Sequence, residues 1–197
     1  MRGSSSGRPV AFATSNGGKV EEARTILSPY GIAVEPFDGK GVEIQAETVS
    51  EVAAFSARAA ARRFGRPLIV EDAGLFVDAL LGFPGPSSSN AFKTVGIGGL
   101  LALLEGARSR RASFRSAVAF CGPSSEPLVF EGSVAGRISR SPVGDRGFGF
   151  DPVFVPSGTR MTMGELTLEE KCAVSHRGEA LRRFAVWYVG QDRGQRF

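Results

Sequence analysis

The chain has 197 residues, 42% hydrophobic and 22% charged, with 24 basic residues against 20 acidic ones and a formal net charge of +4. That composition fits one globular domain and excludes a disordered, fibrous or disulfide-framework chain. The longest apolar runs, such as Phe114–Cys121 and Leu100–Leu104, fall well short of the roughly 20 residues a membrane span needs. The opening MRGSSSGRPV carries charge but no apolar stretch, so residues 1–9 read as a flexible tail rather than a secretory leader. A cytoplasmic location is expected. Cys121 and Cys172 lack C-x-x-C spacing and His176 is the only histidine, a poor set for zinc; a disulfide is possible but disfavoured in a cytosolic chain. The basic excess, mostly arginine, admits an anionic partner without choosing among nucleotide, nucleic acid and membrane.

Taken in order, the elements alternate. Pro9–Thr14 reads as a strand ending in Ser-Asn-Gly-Gly-Lys. A helix follows, with Val20, Ala23 and Leu27 on its apolar face and Glu21, Glu22 and Arg24 opposite; Pro29 ends it. Ile32–Phe37 is a second strand. Ser50–Phe64 is a helix with a Val52, Phe55, Ala59 stripe, closed by Gly65 and Pro67. Pro67–Val70 is a buried strand running into Glu71-Asp72, with Leu75–Leu81 extended or turned. Gly82–Ser89 reads as a loop and Val95–Leu104 as a short apolar helix. Ala112–Cys121 and Leu128–Ile138 are long strands. Thr167 and Glu170 form a capping-box pattern, and a last helix spans Arg177–Val189, burying Leu181, Phe184, Ala185 and Tyr188. The pattern predicts an α/β fold with a mixed sheet, one domain over 10–190 and a tail at 191–197.

Four segments can carry chemistry. Thr14, Ser15, Asn16, Gly17, Gly18 and Lys19 sit at a strand-to-helix junction, where free amides and a lysine suit an anion. It is no Walker A loop, because Ala13 and Val20 stand where that motif needs Gly and Ser/Thr. Glu71-Asp72 ends an apolar strand, and strand alternation lets only one of the two face a given cleft. With Glu43, also set among apolar neighbours, these acids suit Mg²⁺, which shares its shell with water and phosphate. Lys171, His176 and Arg177 cluster donors around Ser175, a candidate N-cap. Arg146-Gly147-Phe148-Gly149-Phe150 satisfies an RNA-recognition pattern, but Asp151 and Pro152 follow. Proline is excluded from a central strand, so this reads as a glycine-flexed loop whose Phe148 or Phe150 stacks on one base.

In order and separation these segments resemble the inosine triphosphate pyrophosphatase family, most closely its archaeal members. The resemblance rests on Thr14–Lys19, Val42-Glu43-Ile44-Gln45, Val70–Leu75, Gly82-Phe83-Pro84-Gly85-Pro86, Gly147–Pro152 and Ser175-His176-Arg177. It implies an elongated two-lobed α/β protein with a long mixed sheet flanked by helices and a cleft between lobes. It also implies a homodimer and Mg²⁺-dependent hydrolysis of non-standard purine nucleoside triphosphates (ITP, dITP, XTP) to monophosphate and pyrophosphate. Thr14 to Lys19 would hold the triphosphate and Glu43 and Asp72 the metal, with Asp72 also the proton acceptor. Ala73 would adjoin substrate; Phe148, Gly149, Phe150, Asp151, Lys171, His176 and Arg177 would bind nucleoside and base. No nucleic-acid or membrane partner is expected. The sequence departs from the family at Ala73 (commonly Ser), Phe150 (often Tyr), Cys172 (commonly Asn), and Ser87 and Asn90 (often aromatic). Three other readings compete: an RNA-binding module built on Arg146–Phe150, a nucleotide-binding protein with reduced hydrolysis, prompted by Ala73, and pyrophosphohydrolysis of other altered nucleotides such as modified pyrimidines.

Overall fold

The computed structural model describes residues 9–39 and 44–194. A mixed seven-stranded sheet lies at its centre. β1 (Val10–Ala13) runs parallel to β2 (Val34–Phe37) on one side and to β3 (Leu68–Val77) on the other. β3 pairs antiparallel with β5 (Arg111–Cys121), which continues to β6 (Leu128–Ile138) and β7 (Phe154–Pro156). The order is β2-β1-β3-β5-β6-β7, with a two-residue β4 (Pro84–Gly85) on β3.

Helices cover both faces. On one, α1 (Gly17–Leu27) and α6 (His176–Gly194) pack Val20, Leu27, Leu181 and Phe184 against Phe12, Ile69 and Val118. On the other lies α2 (Val49–Phe64), with Ala53, Ala57, Ala60 and Ala61 against Ala11, Ala117 and Ala119. Small residues on both sides let helix and sheet approach closely. The expected Val52, Phe55, Ala59 stripe is therefore rotated: Val52 is buried, but Phe55 is 40% exposed. A third cluster joins Leu75, Val77, Phe114, Ile138 and Phe154 to α4 (Gly96–Leu103) through Leu100.

The predicted α/β class with a mixed sheet and flanking helices matches this architecture. Some boundaries differ. β3 is one strand through Val77, held along its length by the β5 ladder. The segment expected to be a Gly82–Ser89 loop contains β4 and the start of α3 (Ser88–Thr94). Helix α6, expected over Arg177–Val189, runs from His176 to Gly194. The Thr167–Glu170 box caps α5 (Leu168–Val174) as predicted, with both reciprocal hydrogen bonds present. Both cysteines are free and buried. No helix among the described residues is long and apolar enough to cross a membrane.

Candidate active site

β1 stops at Ala13, one residue past Phe12, its registered partner to Ile69 of β3. β4 joins β3 only from Leu75 onward, at Leu75 and Phe76. Between them, β3 from Val70 to Gly74 has no strand on that edge among the described residues, and a cavity of about 580 Å³ opens there. Its walls include Thr14, Ser15, Asn16, Lys19, Glu71, Asp72, Ala73, Phe148, Gly149, Phe150, Asp151, His176 and Arg177. That volume suits a small organic ligand.

The β1–α1 turn is built by its own side chains. Thr14 Oγ1 accepts the Asn16 N–H at 3.1 Å, and Asn16 Oδ1 caps α1 by accepting the Lys19 N–H at 3.2 Å. Lys19 then reaches β3: its Nζ lies 2.9 Å from both the Glu71 carbonyl oxygen and Glu71 Oε2. Gly18 packs directly under the Phe148 ring, where a Cβ would collide with it. Gly17 and Gly18 thus shape the turn without lining the cavity.

From Lys19 a chain of alternating charges runs inward. Glu71 meets Lys19 and Arg177 Nε (3.1 Å) and accepts from Ser116 Oγ at 2.6 Å. Arg177 Nη1 donates to Glu22 Oε2 at 2.7 Å; Glu22 Oε1 accepts from Lys171 Nζ at 2.7 Å; Lys171 Nζ also donates to Asp151 Oδ2 at 2.6 Å. All but Lys19 are buried. Burial pushes Glu71 and Glu22 up, but the cations outweigh it. Arg177 and Lys19 hold Glu71, and Arg177 and Lys171 hold Glu22, below the ordinary carboxylate range. Arg177 goes the other way: burial lowers it, and Glu71 and Glu22 more than compensate. Asp151 is raised by burial, which Lys171 and the Phe148 N–H (2.7 Å) only partly offset.

His176 opens α6 at the cavity wall, with its ring stacked on Phe114 at 4.7 Å and 10°. Burial, reinforced by the Arg177 charge, lowers it to about 3, so the imidazole is neutral at physiological pH. Its buried Nδ1 has no hydrogen-bond partner. Ser175 Oγ accepts the Gly178 N–H at 3.0 Å, the expected N-cap. Phe148 is half-buried, with Lys171 Nζ 4.5 Å and the Arg177 guanidinium 5.3 Å from its ring centre. Gly147 lies at φ +74°, and a Cβ there would collide with Asp151.

The Ham1 family model matches residues 10–187. The chain belongs to the Ham1 family. It is 50% identical over 186 residues to the dITP/XTP pyrophosphatase of Methanopyrus kandleri, covering 94% of this chain and 99% of that one. It is 48% identical to the dITP/XTP pyrophosphatase of Thermococcus kodakarensis, over 90% and 96%. A HAM1 protein from Coxiella burnetii superposes with a TM-score of 0.82 at 32% identity, over 92% of this chain and 98% of that one.

Several sequence expectations change in this Ham1 protein. Glu22, assigned to the polar face of its helix, is buried and holds two cations. Only one of Glu71 and Asp72 was expected to face a given cleft, yet both line this cavity. Alternation still holds: Glu71 faces α6 and Asp72 the opposite side of β3, but the open strand edge exposes the cavity to both. Lys171 stands behind Phe148, not on the cavity wall. Phe150 reaches the wall but is 3% exposed, edge-on to Phe92 at 5.4 Å, a core residue first. The RNA-binding alternative loses its strand, because Arg146–Phe150 is a loop running into a 3₁₀ turn at Asp151–Val153. Glu43 lies outside the described residues.

Among the described residues no three His, Cys, Asp or Glu side chains form an enclosing metal cage. Glu71 is committed to Lys19, Arg177 and Ser116. Asp72 is half-buried on the cavity wall. One or two carboxylates, completed by water and substrate phosphates, are the usual Mg²⁺ arrangement, and Asp72 fits that role.

Proposed function

We infer that this protein hydrolyses non-standard purine nucleoside triphosphates, dITP, ITP and XTP, to the monophosphate and pyrophosphate. One observation carries the reading: a single cavity brings together a lysine-bearing helix start, a carboxylate on an open strand edge, and an aromatic–donor wall. Those parts come from stretches of the chain far apart in sequence, around residues 14–19, 72 and 148–177. The names of the relatives support the same substrate class.

The α1 turn and Lys19 receive the phosphate chain. Mg²⁺ at Asp72, with Glu43 as the proposed second carboxylate, would neutralise phosphate oxygens. Asp72 accepts the proton of the water that attacks the α-phosphorus, and pyrophosphate leaves. Phosphoryl chemistry of this kind relies on positioning and charge rather than covalent help. At the other end Phe148 offers a stacking face, and Arg177, fixed by two carboxylates, presents guanidinium donors to the 6-oxo group of hypoxanthine or xanthine. Adenine places a 6-amino donor there and leaves buried donors unpaired, a mismatch that can cost about 10⁴–10⁵-fold. The protein works in the cytoplasmic nucleotide pool as a homodimer, without nucleic-acid or membrane partners.

The test is a panel of dITP, ITP, XTP, GTP and ATP, with and without Mg²⁺, analysed for both phosphate products. Pyrophosphate from the inosine and xanthosine nucleotides, dependent on Mg²⁺, is expected. Orthophosphate as the sole product would move attack to the γ-phosphorus and overturn the mechanism. Comparable kcat/KM for ATP and ITP would overturn the base argument.

A further inference from the structure

The charged side chains on the cavity wall are Lys19, Glu71, Asp72, Lys93, Asp151 and Arg177, three of each sign. Two of the cations are already matched: Lys19 by Glu71, and Arg177 by Glu71 and Glu22. Lys93 has no carboxylate within ion-pairing distance among the described residues, and no motif in the sequence had singled it out.

Its helix is firmly placed. Ser88, at the start of α3, accepts the Leu75 N–H of β3 at 2.7 Å and donates to the Gly85 carbonyl at 2.6 Å. Phe92 packs on Phe150 from the other side. Ser89, Phe92 and Lys93 follow i, i+3, i+4 spacing, so one face of α3 looks into the cavity, and all three line it. The backbone of Lys93 is thus anchored while its side chain is exposed.

We propose that Lys93 is a substrate-binding residue that takes the pyrophosphate portion of the nucleoside triphosphate, as a second cation beside Lys19. A polyanion entering a wall of balanced charge gains most from the cation that has no internal partner, and lysine binds phosphate as a mobile point charge. Its ammonium also meets the charge that grows on the leaving pyrophosphate. The inference rests on the triphosphate reading above.

Two measurements separate the outcomes. Calorimetric binding of inorganic pyrophosphate, compared for the parent, Lys93→Met and Lys93→Arg, needs no turnover. Lys93→Met should weaken binding about tenfold, the scale of one exposed charge-assisted contact. Lys93→Arg should restore most of it, and inosine monophosphate binding should move less than twofold in either variant. In steady-state hydrolysis of ITP, Lys93→Met should lower kcat/KM by a similar factor. Unchanged pyrophosphate affinity in Lys93→Met, or equal losses for pyrophosphate and inosine monophosphate, would overturn the proposal. A parent that binds pyrophosphate through Lys93 yet hydrolyses no triphosphate would instead overturn the activity and leave this contact standing.

Discussion

Asp72 and Glu71 are adjacent acids in different environments, and their variants should separate by readout. Asp72→Asn keeps shape but removes the carboxylate proposed as proton acceptor and metal ligand. It should lower kcat by about 10²–10⁴-fold with the melting temperature largely preserved, because the substitution removes charge without changing side-chain volume. Glu71→Gln strips the partner of Lys19 and Arg177, and should lower both turnover and thermal stability. Turnover near the parent level in Asp72→Asn would remove it from the chemistry. His176 makes a pH prediction. Its folded pKa, about 3, lies below the ordinary value of about 6.5, so as pH falls the unfolded chain takes the proton first. Between pH 7 and 5 this should cost about 2 kcal/mol of stability. The carboxylates Glu71 and Glu22 titrate below that window, and Asp151, raised by burial, acts in the opposite sense. Urea unfolding at both pH values, for the parent and His176→Gln, isolates the histidine. An equal acid loss in the variant would contradict it.

At the scale of elements, the active-site wall depends on how α6 lies against β6. A Cβ on Gly132 would run into the His176 carbonyl oxygen and the Ala180 nitrogen, so β6 leaves room there for the first turn of α6. Gly132→Ala should push that turn away, costing about 1–3 kcal/mol. It should also lower kcat/KM severalfold, although Gly132 does not line the cavity. Parent-like kinetics in a destabilised variant would show that His176 and Arg177 are positioned by other means. Element by element, local signals were readable. The Thr167–Glu170 box, the Ser175 cap and the two long strands β5 and β6 announce themselves within a few residues. What lay beyond reach was non-local. Glu22 looks like a solvated charge because its partners, Lys171 and Arg177, stand 149 and 155 residues away. The helix at Ser88–Thr94 is hidden by a serine-rich stretch, and its docking depends on Leu75 and Phe150. The site motifs were legible as a set because family order carried them; which members touch the cavity was decided by packing.

For the molecule as a whole, the alternating series Lys19, Glu71, Arg177, Glu22, Lys171, Asp151 ties α1, β3, α5, α6 and the 151–153 turn together. Deleting one member strands its neighbours in a medium that solvates them poorly. Glu22→Gln should therefore cost about 3 kcal/mol and lower the melting temperature by roughly 10 °C, measured by calorimetry. A drop of under 2 °C would mean that water replaces the lost charge. Combining Glu22→Gln with Glu71→Gln should give less than the sum, since both act on Arg177.

The interrupted edge of β3 has a further consequence. Successive residues of a strand aim their peptide groups at alternate edges. Lys19 takes the Glu71 carbonyl and Ser88 takes the Leu75 N–H on the same edge, so the peptide groups of Ala73, midway between them, point the same way. A substrate bound in this cavity as proposed would meet main chain at this position, and the chain could forgo a hydroxyl there while its backbone N–H and C=O remain. An alanine scan is blind to such a contact, since the residue is already alanine. Only a change to the amide itself, proline or an ester linkage at position 73, would reveal what the backbone contributes.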